Sequence, residues 1–261
     1  MDLLKRAIKA AIEAGVEINS IYESGIVETS YKEDKSPVTN ADMVSNRIII
    51  DHLKVTGIPI LSEESKNIPY NERKIWRSLW IIDPLDGTKE FLKKNGEFTV
   101  NIALVTRNKP IIGVIYAPVT RELYFGCLRM GSFKTIVEDT GQDIQAIING
   151  AEKLPFANKN QMYTVVISRS HMNRATEEYI RSRSGSTEKP KLVSRGSSLK
   201  ICLVAEGTAL YYPRFGPTME WDIAAGHAIA ENAGRTIRRI YDGKQISYNK
   251  ESLLNPAFIV E

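Results

Sequence analysis

Cysteine is scarce here: the 261 residues hold two, Cys127 and Cys202, far apart in the chain. They make neither a metal-binding spacing nor a disulfide framework, which predicts a protein of a reducing compartment and excludes a disulfide-stapled module. Long apolar runs are missing too. No stretch approaches the roughly 20 apolar residues that a membrane-spanning helix needs. The N-terminus, where Asp2, Lys5, Arg6 and Lys9 interrupt the apolar positions, does not read as a signal peptide. Nor is there a long run of one charge. Lys and Arg number 35 against 31 Asp and Glu, a net charge of +4, which argues against a nucleic-acid polymer as partner and suits a small anionic substrate. Internal repeats and low-complexity tracts are absent. The expectation is a cytoplasmic chain, free or peripheral to the inner membrane, monomeric or homodimeric.

The hydrophobic content of 43% supports a sizeable core for one large domain or two packed subdomains. Leu4, Ile8, Ile12 and Val16, with Ala11 beside them, recur at helical spacing. A second helix is expected from about Ala41 to Leu53. Pro59-Ile60-Leu61 reads as a short strand and Leu79-Trp80-Ile81-Ile82 as a buried one. Phe98 to Val105 and Ile111 to Tyr116 form a hairpin over Arg107-Asn108-Lys109-Pro110, followed by a strand from Glu122 to Phe125. Turn formers between Asp139 and Asn160 place a boundary there, giving an α+β unit over 1–150 and an α/β unit over 151–261, with a site at their junction. In the second unit a strand is expected at Tyr163 to Ile167 and a helix at His171 to Arg183. A helix from Ser198 to Glu206, closed by Gly207, a strand at Ala209 to Tyr212, a helix at Asp222 to Asn232 and a strand at Thr236 to Ile240 complete it.

The strongest chemical signal is Asp83-Pro84-Leu85-Asp86-Gly87-Thr88 directly after the strand Trp80-Ile81-Ile82. Two carboxylates on one stiff turn, with a backbone carbonyl between them, are the oxygen set a hard divalent cation wants. If Thr88 opens a helix, the amides of Gly87 and Thr88 can hold a phosphate. An Asp-Gly pair alone is more simply a surface turn; the whole string after an apolar strand outweighs that. Ser62-Glu63-Glu64-Ser65 is weaker, because adjacent residues on an extended chain face opposite ways and only one glutamate can join the cluster. Thr39-Asn40-Ala41-Asp42 reads equally as a helix-capping box, and Asp222, in Glu220-Trp221-Asp222, as a helix N-cap.

Glu63, the Asp83–Thr88 string and Trp221-Asp222 together resemble the lithium-sensitive, magnesium-dependent phosphatases of the inositol monophosphatase superfamily. Further strings are similar to its 3′(2′),5′-bisphosphate nucleotidase branch: 34–39, 61–64, 83–91, 95–104, 168–171, 196–200 and 212–218. The likeness runs nearly end to end and is weakest in the N-terminal helix, at 134–159 and at 181–191. It implies a layered αβαβα sandwich. It assigns metal contacts to Glu63, Asp83, the Leu85 carbonyl, Asp86 and Asp222, with two or three Mg²⁺ ions. It gives Asp42 and Thr88 the task of positioning the attacking water, and leaves Glu64 a neighbour.

The implied substrate is 3′-phosphoadenosine 5′-phosphate. Glu63, Leu85, Asp86, Gly87, Thr88 and Asp222 surround its scissile phosphate, and Ser168, His171, Ser197, Lys200 and Arg214 its remainder. For Lys200 and His171 the plain alternative is a solvated helix residue; His227 and the tyrosines Tyr211 and Tyr212 read as packing. The competing functions are an inositol or sugar phosphatase of the same superfamily, a catalytically silent phosphonucleotide-binding protein, and a structural domain. The filled ligand positions and Thr88 speak against the last two.

Overall fold

The computed structural model describes residues 1–31, 37–65, 68–156, 163–168, 172–184 and 189–261. In its N-terminal part α1 (Asp2–Ser24), β1 (Thr29–Tyr31), β2 (Pro37–Thr39) and α2 (Asn40–Leu53) precede β3 (Ile60–Ser62), α3 (Tyr70–Arg73), β4 (Ser78–Asp86) and α4 (Thr88–Leu92). Then come β5 (Thr99–Thr106), β6 (Lys109–Ala117), β7 (Glu122–Cys127), β8 (Gly131–Ile136), α5 (Ile144–Asn149) and β9 (Glu152–Leu154). The remainder is β10 (Thr164–Ser168), α6 (Arg174–Arg183), β11 (Lys191–Arg195), α7 (Leu199–Ala205), β12 (Tyr212–Arg214), α8 (Glu220–Asn232), β13 (Ile237–Arg239) and β14 (Phe258–Val260).

Strands β3 to β9 form one sheet in sequence order. Only β3 and β4 run parallel; every later pair is antiparallel. Both faces are covered, which is why β4 reads as an uninterrupted apolar run. Trp80 and Ile82 point to the side where α1 and α2 bring Leu4, Ile8, Ile18, Ile49 and Leu53. Leu79 and Ile81 point to the other, where α7 and α8 bring Ile201, Val204, Ala225 and Ile229. Beyond those helices lie the parallel pair β10–β11 and the antiparallel sheet β12-β14-β13, joined by a bridge from Val165 to Tyr211. Ile180 of α6 closes the last face against Val165, Tyr211 and Ile259. The layers therefore run αβαβα, as expected.

Several local expectations are corrected. Val16 is 40% exposed; α1 instead buries Ala7, Ala10, Ala11 and Ala14 beside its larger residues, a close-packing face that weighting by side-chain size overlooks. Helix α6 begins at Arg174, because Asn173 caps it by accepting from the Thr176 amide at 2.9 Å. The expected strand 209–212 lies at Tyr212–Arg214, and β8, β9, β11 and β14 were not foreseen. β4 also continues through Asp86 instead of stopping at Ile82.

Helix α8 lies tightly on the large sheet. A Cβ on Gly113 of β6 would stand 2.1 Å from the Ala225 carbonyl oxygen, a clash with backbone that cannot be relieved locally. Gly113→Ala should therefore lower stability by about 1–3 kcal/mol, the usual cost of overpacking, read as a drop in chemical-denaturation midpoint; an unchanged midpoint would contradict this packing.

Candidate active site

Two parallel strands end side by side. The register pairs Ser62 of β3 with Ile82 of β4, so Glu63, just past the end of β3, comes beside Asp83, and the Glu63 amide donates to the Ile82 carbonyl at 3.2 Å. Asp83 and Asp86 are three apart, which in a regular strand would aim them at opposite faces. Between the pairs Asp83–Asn101 and Asp86–Thr99, however, β4 advances three residues while β5 advances two. This one-residue bulge restores both carboxylates to one side, where they line the same cavity. Ser45 of α2 donates to the Pro84 carbonyl at 2.7 Å, and Asp83 Oδ1 accepts from the Leu85 amide at 3.1 Å. The bulge is thus held from both sides.

Gly87 follows with φ 98°, a left-handed value that favours glycine, and a Cβ there would meet Ser197 Oγ at 2.3 Å. Thr88 opens the short α4. Its hydroxyl donates to Asp42 Oδ1 at 3.2 Å, while Asp42 Oδ2 accepts from the Thr39 amide at 2.8 Å and from the Thr39 hydroxyl. The capping role and the Thr88 contact are therefore both present, one on each carboxylate oxygen. Asp222 is the third residue of α8, not its N-cap; its Oδ2 accepts from the Met219 amide at 2.8 Å.

Glu63, Asp83, Asp86, Gly87, Thr88 and Asp222 line a cavity of about 290 Å³ with Leu85, Ser168, Ser197, Lys200 and Arg214, and Asp42 stands behind Thr88. Glu63 lines it and Glu64 does not. His171 lies outside the described residues. Lys200 is 8% and Arg214 7% exposed, so neither is the solvated cation of the plain alternative. Lys200 Nζ donates to the Ser197 carbonyl, Arg214 Nη2 to the Pro217 carbonyl at 3.1 Å, and the buried Arg214 Nε has no partner. His227 is packing, its ring nitrogen Nδ1 2.8 Å from the Tyr248 hydroxyl.

Sequence reasoning passed over several groups. Asn101 Nδ2 donates to Asp86 Oδ2 at 3.2 Å, and Asn101 Oδ1 accepts from Ser198 Oγ at 2.8 Å, so Asn101 ties the acidic wall to the start of α7. A polar residue inside Val100-Asn101-Ile102-Ala103-Leu104 was the available signal. Tyr212, assigned to core, also lines the cavity, as do Glu90 and Arg195.

The charge balance is strained. Burial first, then repulsion by Glu63, Asp86, Asp222 and Asp42, holds the Asp83 carboxyl well above the usual range. Burial raises Asp86 to about 6, with Lys200 and Asn101 pulling it back, and raises Asp222 to about 8 with help from Asp86. Burial brings Lys200 down to about 8. An all-oxygen set of mutually repelling carboxylates fits a hard divalent cation such as Mg²⁺. Among the described residues no three His, Cys, Asp or Glu side chains stand close enough together to form a ready-made metal cage.

The sign of the linkage follows. These carboxyls hold protons in the folded chain that they have lost in the unfolded one, where Asp titrates near ~3.9. The metal-free stability they control is full below that value and falls as pH rises toward about 8. In a chelator, the thermal midpoint should fall between pH 5 and pH 8 by less in Asp222→Asn than in the parent, and Mg²⁺ should raise the parent midpoint more at pH 8. Equal falls in calorimetry would contradict this.

The sequence model described as the Inositol monophosphatase family matches residues 2–258. The chain is 42% identical over 262 residues to the 3′(2′),5′-bisphosphate nucleotidase CysQ of Salmonella typhimurium, covering 99% of each, and equally to that of Escherichia coli strain K12. The crystal structure of CysQ from Bacteroides thetaiotaomicron superposes with a TM-score of 0.90 at 48% identity, over 100% of this chain and 97% of that one. With the family model spanning nearly every residue and the layers matching a solved member, the chain belongs to the inositol monophosphatase family.

Proposed function

We propose that this chain is a 3′(2′),5′-bisphosphate nucleotidase that hydrolyses the 3′-phosphate of 3′-phosphoadenosine 5′-phosphate to AMP and phosphate. The observation that carries the reading is one cavity lined both by an acidic set, Glu63, Asp83, Asp86 and Asp222, and by two buried cations, Lys200 and Arg214. Such a cavity suits a substrate with a phosphate at each end. Inositol monophosphate has a single anionic group and offers the buried cations no second phosphate. The full-length likeness to nucleotidases named CysQ supports the same choice.

In this reading Glu63, Asp83, the Leu85 carbonyl, Asp86 and Asp222 hold Mg²⁺. When bound, the ions offset the repulsion of the acidic wall, polarise the phosphoryl group and acidify a water. The chain's own residues supply the orientation. Thr88 gives its proton to Asp42 and keeps its oxygen lone pairs for the attacking water. Asp42, fixed by Thr39 on its other oxygen, is the final proton acceptor, and its pKa, raised by burial, improves it as a base. Gly87 and Thr88 border the scissile phosphate. Lys200 and Arg214 bind the 5′-phosphate, whose oxygens satisfy the unpartnered Arg214 Nε, while Ser168 and Ser197 flank the ribose and Tyr212 gives the adenine an apolar surface. No protein nucleophile takes part.

The test is phosphate release from 3′-phosphoadenosine 5′-phosphate, 3′-AMP, inositol 1-phosphate and fructose 1,6-bisphosphate with Mg²⁺. The bisphosphonucleotide should be turned over fastest, and preference for either non-nucleotide would sink the assignment. Asp86→Asn should lose about 10²-fold or more in kcat, the scale of a missing electrostatic contact, with its circular dichroism unchanged. Lys200→Ala should lose about 10–100-fold in kcat/KM on the bisphosphate, as for a charge-assisted bond, and little on 3′-AMP. Trapping a covalent phosphoenzyme would refute the water-attack scheme.

A further inference from the structure

The carboxylate of Glu220, two residues before Asp222, plays no part in the cavity, yet it is fully buried. It accepts from the Asn249 amide at 2.6 Å, from the Lys250 amide at 3.0 Å and from Lys250 Nζ at 2.6 Å. Asn249 takes a positive φ of 59° to present that amide. On its other side Asn249 meets Arg73, whose Nη1 donates to Asn249 Oδ1 at 3.1 Å, while Asn249 Nδ2 donates to the Arg73 carbonyl at 2.7 Å. Arg73 also donates to the carbonyls of Lys250 and Glu251 and, at 3.3 Å, to that of Ile68. Further along, Asn255 donates to the Met219 carbonyl at 2.6 Å and its amide to the Thr218 carbonyl at 2.8 Å, and the Glu220 amide donates to the Leu253 carbonyl at 3.0 Å.

Residues 249–255 are therefore a strap. One edge wraps the start of α8, which carries Asp222, and the cavity-lining pair Pro217-Thr218. The other is gripped by Arg73, in the connection between the strand that delivers Glu63 and the strand that delivers Asp83. Those two halves of the acidic wall come from adjacent layers, the end of the large sheet and the start of α8, and repel one another, so the joint between them must be held. The Glu220 carboxylate and the Arg73 guanidinium are both buried and both multiply hydrogen-bonded to the strap, and burying such charges is costly unless they are paired in this way.

We propose that Glu220 and Arg73, acting through residues 249–255, are positioning residues that set Asp222 against Glu63 and Asp83 and so determine the affinity for the divalent cation. The inference rests on the metal reading given above.

The test uses Mn²⁺ alone as probe, counted by the loss of its free electron-paramagnetic-resonance signal, on the full chain without substrate. Glu220→Gln should weaken Mn²⁺ binding about 10-fold, the low end for a group that orients metal ligands, with secondary structure retained. In the Asp222→Asn background the same change should add nothing, because its effect passes through Asp222. Lys250→Gln, at a side chain 24% exposed, is the milder companion and should shift Mn²⁺ affinity in the same direction should Glu220→Gln not fold. Unchanged affinity in the folded variants, or an equal loss in the presence and absence of Asp222, would overturn the inference while leaving the metal reading intact. A parent chain that binds no Mn²⁺ would overturn both.

Discussion

Like charge gathered at the end of a buried sheet is the constraint around which this molecule is arranged. Burial first, and then repulsion by acidic neighbours that include Glu63, raises the proton affinity of Asp83, Asp86 and Asp222. A chain left to relax would splay these groups into solvent. It is prevented by devices that have nothing to do with charge: a parallel strand pair, a bulge clamped by Ser45, a glycine too crowded for any side chain, and a helix start bound to a distant segment. Stability at this corner is spent on assembling an electrostatically unfavourable arrangement, a common condition of sites built to do chemistry.

Much of the architecture could be read before any coordinates. The β5–β6 hairpin was legible because Arg107 and Asn108 break two β-rich runs, and both take positive φ in the turn. Helix α7 was legible from Gly207, which sits just past its C-terminal cap with φ 79°. The strands that escaped notice are short or weakly patterned. β11 is largely exposed or half-buried and pairs with a single neighbour, and β14 owes its place to partners far away in sequence. Long-range pairing of this kind leaves no local periodicity to find.

The acidic residues of the site were visible because Asp83-Pro84-Leu85-Asp86-Gly87-Thr88 concentrates several unusual demands in six positions. The bulge was not, since nothing in a one-dimensional pattern says that β5 runs one residue short against it. Asn101 and Tyr212 were hidden for a different reason: each sits in a strand whose neighbours are apolar, and burial there is equally compatible with packing and with lining a cavity. Asp42 and Asp222 illustrate a third case. Each satisfies a helix terminus with one oxygen, so a capping role does not use up the carboxylate and leaves the other oxygen to the site.

Ser197 has a consequence for what the cavity can accept. Its hydroxyl lies 2.8 Å from the Asp86 carbonyl and 2.6 Å from that of Glu97, and its own carbonyl receives Lys200. One serine thus couples the loop of the acidic wall to the root of the cationic wall. The roots of the acidic and cationic groups are tied together through backbone carbonyls. Under the proposed function the cavity acts as a gauge: selection among phosphorylated metabolites falls first on the span between two negatively charged ends and only afterwards on the identity of the base.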